Sequence, residues 1–531
     1  MDERDAPAAN SPAVPRFERA DWIAVAVLVA ISLAIRVPFR SRFAYHWDSA
    51  QFALAIQHFD VSLSLPHLPG YFLYVMLGRL VNLIVGEPHA SLVWMSVVAG
   101  AALAGLGYLL ATALWGRDCG LVTGCLLASS PLCWFQSEVA LTTIIDSAIV
   151  TAAALVCWRA IGRGGGWPWV FTMAVMFAFD AGVRPQTSPA LFVLWLYTFS
   201  KFPRGRRRRV LVGLLLVALF CAAWFVPMVQ LSGGLGRYLR LYPPRMRMNA
   251  SLTPWSGGTE ALSVDVAFIV CSCWIGLLGA GLLGGLEVML RVVRRTDARA
   301  SYVRYHDQLW LLAVWIVPMV ALGFAAFTTM PGYVLNYFPA VAILAGFAVT
   351  RLVGRIAPVG HQYRLVLGLA IACITMINSA VFLLPPQYTQ ALRAGLPLNT
   401  AHIREHDQQL ARWFQAIRQT YRPDEVVICH YGQSFLWGFR HFQYYLPEYE
   451  NVLLTPDRAL PPPLDKALWC ATNRSVEFIS KFEPRGRRKL LLVVPPGGSV
   501  ELFAKAFDVT SARKWNISEG APLYILTTTA K

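Results

Sequence analysis

Long apolar stretches separated by short polar connections dominate the first 385 residues. A helix that crosses a bilayer needs about 20 mostly apolar residues. Eleven stretches meet or approach that length: 21–37, 90–113, 118–135, 139–159, 167–183, 187–201, 209–229, 263–290, 308–329, 333–353 and 363–384. A twelfth, 69–85, carries Arg79 and Asn82. From about 386 onward charges, prolines and polar residues rise. There Glu425–Cys429, Leu490–Val494 and Leu523–Thr527 read as buried strands, with helical patterns at 400–420 and 498–507. The pattern predicts a polytopic α-helical membrane protein of about eleven spans with a C-terminal α/β domain. Its parts are a Pro/Ala-rich, disordered, cytoplasmic N-terminus (1–20), a transmembrane domain (21–385) and a soluble domain (386–531).

Composition agrees with the pattern. Hydrophobic residues make up 56% of the 531 and charged residues 15%, with a mean hydropathy of +0.48. Soluble domains carry about a quarter charged residues. The first apolar stretch lacks a small-residue cleavage site and reads as a retained helix, not a signal peptide. The net charge of +17 would suggest nucleic acid for a soluble protein; here the arginines read as topology signals, and no nucleic-acid partner is expected. With the N-terminus cytoplasmic and 69–85 lying along the outer interface, the inner connections collect Arg117, Arg159, Arg163, Lys201, Arg204, Arg206–Arg209, Arg291, Arg294, Arg295, Arg299, Arg304, Arg351, Arg355 and Arg364. If 69–85 crossed the bilayer, the later clusters would fall outside. The positive-inside rule therefore selects eleven spans and an extracytoplasmic C-terminal domain; the residues do not choose between a periplasm and an ER lumen outside, and a bacterial inner or plasma membrane is the expected location. None of the ten cysteines has metal-site spacing, and Cys429 and Cys470 could pair in an extracytoplasmic tail.

The unusual charges gather in the predicted outer loops. Asp48 sits in Tyr45-His46-Trp47-Asp48-Ser49-Ala50-Gln51-Phe52, directly after the first span. A carboxylate there is a candidate general base, needing no shifted pKa to be ionised at neutral pH; the same Asp-Ser is also a helix-capping pattern. His46 and His67 are candidates to orient an acceptor, bind phosphate or act as a pair, or are structural; Asp60 reads as a turn residue. Arg237, Arg240, Arg245 and Arg247 break the positive-inside trend in the loop 230–262. Guanidinium forks suit phosphate oxygens, so this loop and Arg184, at the Gly182–Pro185 hairpin tip, are candidate phosphate ligands. The alternative is contact with anionic headgroups. Glu138 and Asp146 are intramembrane acids. Glu138 reads as a second acid or metal ligand, or as an N-terminal helix charge; Asp146 stays open, and Asp180 reads as the partner of Arg184. Tyr333, in the outer loop 330–337, closes over a site or belongs to the aromatic belt. There is no Walker, dinucleotide or zinc motif.

Three segments carry a family resemblance. Asp48-Ser49-Ala50-Gln51-Phe52, His67-Leu68-Pro69-Gly70-Tyr71 and Trp134-Phe135-Gln136-Ser137-Glu138 resemble, in order and spacing, the Asp-Ser-Gly-Glu-Phe, His-Pro-Pro-Gly-Tyr and Trp-x-Gln segments of GT-C membrane glycosyltransferases, most of all the bacterial protein O-mannosyltransferase-like members. The likeness covers about residues 20–200. It implies a GT-C fold and transfer of a sugar, mannose by family likeness, from a polyprenyl-phosphate donor held in the membrane lipid. The receiver would be a hydroxyl of a protein, lipid or glycan acceptor, with Asp48 as base. A divalent cation, Mg or Mn, is the one cofactor the resemblance raises, with its ligands unassigned. The chain departs from the family at Gln51, where a Glu is usual, and at Leu141, where a second acid is usual; Glu138 or Asp146 would have to substitute. A transporter or flippase is the rival class. It predicts repeated halves and midplane charges, and no internal repeat is visible. A non-catalytic scaffold is the third reading.

Overall fold

The computed structural model describes residues 15–531 except 203–205, 244–252, 294–297, 327, 329, 359, 432–435, 457–467, 473–475, 480–488, 495–497, 506–507, 516–522 and 528–531. The expectation of a disordered N-terminus concerns mainly residues 1–14, outside the described set. The chain divides into two compact units: Met1–Arg40, Leu68–Gly86 and Ser91–His402 form one, and Ser41–His67, Glu87–Ala90 and Ile403–Lys531 form the other. The sequence boundary at 386 therefore shifts to 403, and the segment carrying Asp48 belongs with the C-terminal domain.

The first unit is helical: α1 (Arg19–Arg36), α3 (Phe72–Val85), α4 (Pro88–Trp115), α5 (Arg117–Ser129), α6 (Pro131–Glu138), α7 (Thr143–Gly162), α8 (Trp167–Val183), α9 (Ser188–Ser200), α10 (Arg206–Leu231), α11 (Leu235–Arg240), α12 (Pro254–Val293), α13 (Ala298–Ala326), α14 (Phe338–Ile356) and α15 (Gly360–Leu383). Among the described residues eight helices are long and apolar enough to cross a membrane, and α5 with α6 adds a bent pair. The chain is thus a multi-pass membrane protein. Each of the eleven predicted stretches falls on helix, with three corrections. The stretch 118–135 is broken by 50° between α5 and α6, because Pro131 biases Ser130 away from helical geometry. The stretch 139–159 becomes helical only at Thr143, and 333–353 only at Phe338. The apolar helices α3, α8 and α9 are shorter than 18 residues.

α1 is tied down at its start. Asp21 is buried, receives the Tyr108 hydroxyl (2.9 Å) and pairs with Arg117 (2.8 Å). Near the end of the bundle elements, Glu287 of α12 pairs with Arg291 (2.7 Å) and with Arg355 of α14 (3.0 Å). Three of the predicted inner arginines, Arg117, Arg291 and Arg355, thus hold two buried acids.

The second unit contains α2 (Trp47–Gln57), α16 (from Thr400, running to Thr420), α17 (Phe439–Tyr445) and a seven-stranded sheet of order β4-β3-β2-β1-β5-β7-β6. The strands are β1 (Val426–Tyr431), β2 (Glu450–Pro456), β3 (Leu468–Thr472), β4 (Val476–Ile479), β5 (Lys489–Val493), β6 (Arg513–Lys514) and β7 (Leu523–Thr527). β1 pairs in parallel with β2 and β5; the outer pairs are antiparallel. Parallel central strands are covered on both faces and so read as continuous apolar runs. Side chains alternate across the sheet: Val426 and Ile428 pack with Leu410, Trp413 and Ile417 of α16, whereas Val427 and Cys429 pack on the opposite side with Phe503 and Val509. The predicted helix at 498–507 is a 3₁₀ turn, Val500–Lys505. β2 lies between Cys429 and Cys470, which sets their backbones about 10 Å apart, two strand spacings, beyond the reach of a disulfide.

Candidate functional site

The Asp48 segment is held by its own unit. The Asp407 carboxylate of α16 accepts the amides of Arg42 (2.8 Å) and Phe43 (3.0 Å), and the Tyr445 hydroxyl of α17 accepts the amide of Ala44 (2.7 Å). Trp47 then buries its ring against Phe439 and Leu453. His46, in extended geometry, caps α2: its Nδ1 accepts the Asp48 amide at 3.1 Å. The capping role foreseen for Asp48 thus belongs to His46. Asp48 lies in the first turn, where a negative charge suits the helix dipole.

Two imidazoles flank the carboxylate, whose side chain is 24% exposed. His67 Nδ1 is 3.5 Å from Oδ1 and His46 Nδ1 is 3.6 Å from Oδ2. They differ in kind. Burial pushes the His46 pKa down, against the pull of Asp48, and its Nδ1 lone pair already receives the Asp48 amide. Its approach to Oδ2 brings no proton and is not an ion pair. His67 Nδ1 instead donates to Gln51 Oε1 at 2.9 Å, so it carries the proton. Asp48 and Gln51 are three residues apart on one helix face, and both point to His67. Gln51 was noted in the sequence only as a departure; the i, i+3 spacing was the signal of its role. Asp60 is a turn residue as foreseen, accepting the Ser62 amide at 2.8 Å.

The same unit buries further histidines. His406 Nε2 donates to the Leu436 carbonyl (2.7 Å), and its ring lies 6.4 Å from that of His441. Burial pushes His406 down to about 4 and His441 well below the usual imidazole range, the latter helped by neighbouring imidazoles. His430, packed edge-on to Phe442 with centroids 4.7 Å apart, falls to about 3 for the same reason. Short-range pattern gave no sign of this group, because its members come from α16, α17 and β1.

In the membrane unit Asp146 and Arg184 come together. Arg184 Nε lies 3.7 Å from Asp146 Oδ2, which also accepts the Thr187 hydroxyl at 3.1 Å. The guanidinium stands 5.1 Å over the Tyr333 ring. Asp180 is fully buried beside them and interacts with both Asp146 and Arg184. Arg184 thus pairs with Asp146 as well as facing the Asp180 foreseen for it, because α7 starts at Thr143 and brings Asp146 into its first turn.

Glu138 ends α6, fully buried, with Arg36 of α1 as a cationic neighbour. An N-terminal helix charge is thus ruled out, and the nearness of Arg36 is what the sequence reading missed. Arg36 Nη1 donates to the Ser32 carbonyl (3.2 Å). Gly100 of α4 makes room here: a Cβ on it would overlap the Ser137 side chain and lie 3.2 Å from Arg36 Nε. Arg237 and Arg240 are exposed on α11, between them Tyr238 is buried, and its hydroxyl donates to the Pro69 carbonyl at 3.0 Å. Arg245 lies outside the described residues.

Among the described residues no three His, Cys, Asp or Glu side chains are grouped to hold a metal. Around Asp48 the donors are one carboxylate, one amide oxygen and imidazoles, which is not the oxygen-rich set that Mg or Mn takes.

No protein-family model matches the chain, and no curated protein matches it in sequence. Solved structures do match. ArnT from Cupriavidus metallidurans bound to undecaprenyl phosphate aligns with TM-score 0.53 at 12% identity, over 96% of this chain and 98% of that one. The apo state of that protein aligns with TM-score 0.53 at 14% identity, over 95% and 97%. The Archaeoglobus fulgidus oligosaccharyltransferase, in complex with Zn and sulfate, aligns with TM-score 0.47 at 13% identity, over 81% and 62%. The ArnT alignments run nearly end to end in both chains, so the membrane helices and the C-terminal sheet domain together make a fold of the GT-C type.

Proposed function

We propose that the chain is a membrane glycosyltransferase that moves a sugar from a polyprenyl-phosphate-linked donor to an acceptor hydroxyl on the extracytoplasmic face, with Asp48 as general base. The observation that carries the reading is the near end-to-end fold likeness to an ArnT structure that holds undecaprenyl phosphate. The partly exposed Asp48 carboxylate, held between imidazoles on a packed segment, supports the choice of base.

In the reaction the acceptor O–H gives its proton to the Asp48 carboxylate. The oxygen forms a bond to the anomeric carbon. The bond from that carbon to the phosphate oxygen breaks, and its electron pair leaves with the polyprenyl phosphate, with inversion. Catalysis of this kind needs a positioned base and cations on the leaving group. Arg184 spends its charge on Asp146 and Asp180, and a phosphate beside it would meet two acids. Arg237 and Arg240 are exposed, and with Arg245 they remain the proposed phosphate ligands on charge alone. No step is routed through a divalent cation; chelation tests that requirement separately. The acceptor class is a protein, lipid or glycan, and mannose is the sugar to try first on the family resemblance.

Membranes containing the chain are given labelled polyprenyl-phosphate sugars, mannose first. The reading predicts chain-dependent loss of label from the lipid-phosphate fraction and its gain in an acceptor fraction. No consumption of any donor in the panel, with the chain correctly inserted, contradicts it.

A further inference from the structure

The mechanism gives Arg440 no task, yet Arg440 and its neighbour on α17 hold both ends of the segment that carries Asp48 and His67. Phe439 packs on Trp47, directly before Asp48. Arg440 reaches the far end. Its Nη2 donates to the Leu63 carbonyl at 2.7 Å, and its Nη1 donates to Gln443 Oε1 at 2.7 Å. Leu63 is the last residue of a 3₁₀ turn, Val61–Leu63. That turn lies inside a chain reversal closed between Asp60 and Leu65. The Asp60 amide donates to the Leu65 carbonyl (2.7 Å) and the Leu65 amide to the Asp60 carbonyl (3.0 Å). Beyond the reversal the chain returns alongside α2, where the His67 ring lies 5.8 Å from the Phe52 ring and its Nδ1 3.5 Å from Asp48 Oδ1. We propose that Arg440 is a positioning residue: by holding the tip of the 60–65 reversal, it sets the place of the His67 ring beside the catalytic carboxylate. The kinetic consequence rests on the transferase reading; the geometric one rests on the contacts alone.

The chemistry of Arg440 fits this task better than simple packing. The side chain is buried, at 8% exposure, and both acceptors are neutral oxygens. Burying a charge costs free energy that neutral hydrogen bonds offset only in part. A Leu or Met would fill the same space without that cost. Burial pushes the Arg440 pKa down only to about 10, so the guanidinium keeps all five N–H donors at neutral pH. The Phe439 ring, 5.2 Å from the guanidinium carbon, steadies the cation. What Arg supplies and Lys does not is a planar fork. Here one arm of the fork serves an acceptor on its own helix and the other an acceptor on the reversal. The reversal is thereby fixed relative to α17, as Trp47 is through Phe439, and one short helix sets both Asp48 and His67.

Arg440→Met and Arg440→Lys are made in the full chain, with and without His67→Leu, and transfer is measured per folded, inserted chain. Arg440→Met should lower kcat by about 10²-fold, the scale of an ångström of misplacement, with the donor KM unchanged. Arg440→Lys keeps the charge and loses the fork. Its loss should be about tenfold, and it carries the test if Arg440→Met does not fold. In the His67→Leu background the further loss should shrink to less than about threefold, because the ring that Arg440 places is gone. Equal losses with and without His67, or a lower melting point with kcat intact, overturn the inference and leave Arg440 a packing residue. If the wild type transfers no sugar, the transferase reading fails and the geometry is read directly. The imidazole nitrogen and carbon resonances of His67 and His430, assigned by His67→Leu and His430→Phe, are then compared between wild type and Arg440→Lys. A displacement of the His67 signals larger than that of the His430 signals supports the inference; His67 signals that move no more than those of His430 overturn it.

Discussion

Acid should unfold the C-terminal unit sharply, and the structure sets how sharply. His406, His430 and His441 are all buried with pKa values pushed down by burial. In the unfolded chain each takes a proton near its ordinary value of about 6.5. Below that pH the unfolded state binds more protons than the folded one, so stability is present above pH 6.5 and is lost as pH falls. Each such group contributes about 1.4 kcal/mol per pH unit, or about 4 for the three. Asp407, pushed up to about 6 by burial, works the other way. Its folded state takes the proton first, which offsets about 1.4 kcal/mol per unit between its folded and unfolded values. The net loss is about 3 kcal/mol per pH unit, or roughly 5 between pH 6.5 and 4.5, comparable to the whole stability of a marginal domain. Hydrogen exchange of the β1 and β5 amides in the full chain, corrected for intrinsic rates, measures it. His430→Phe, in a pocket already lined by Phe439 and Phe442, should reduce the slope by about 1.4 kcal/mol per unit. Opening free energies that stay flat from pH 7 to 5, or equal slopes for wild type and variant, refute the reasoning.

Two further outcomes concern the membrane unit. Arg184→Leu leaves the buried Asp146 and Asp180 without their cation, and removing one partner of a buried pair costs about 3–5 kcal/mol. It should lower the melting point in detergent more than Asp146→Asn, which leaves Arg184 with Asp180; the reverse order would sink the assignment. Gly100→Ala forces a methyl into Ser137 and toward Arg36. Overpacking of this kind costs about 1–3 kcal/mol, read as a lower melting point; an unchanged melt would mean that α4 yields freely there.

Long-period patterns were legible in the sequence, and contacts far apart in the chain were not. Apolar runs located every predicted membrane stretch on helix, and short apolar runs located β1, β5 and β7, because burial on both faces leaves a continuous signal. β2, β3, β4 and β6 were missed: short or outer strands leave little periodicity. The break before Pro131 was readable and was overlooked. The placement of Asp48 with the sheet domain was not readable, since it depends on Asp407 and Tyr445, more than 350 residues away. The same holds for the Asp146–Arg184 pair and for Arg36 near Glu138, whose partners lie on different helices. At the Asp48 site the residue types were visible, but the direction of each proton was not. Only geometry distinguishes the His46 lone pair from the His67 N–H.

The most direct test compares sugar transfer by the wild type and Asp48→Asn from the same polyprenyl-phosphate donor, at equal amounts of inserted protein. The substitution keeps size and removes the base. A fall of about 10²- to 10⁴-fold in kcat, with donor binding retained, is the predicted result. Transfer by Asp48→Asn at the wild-type rate would contradict the account.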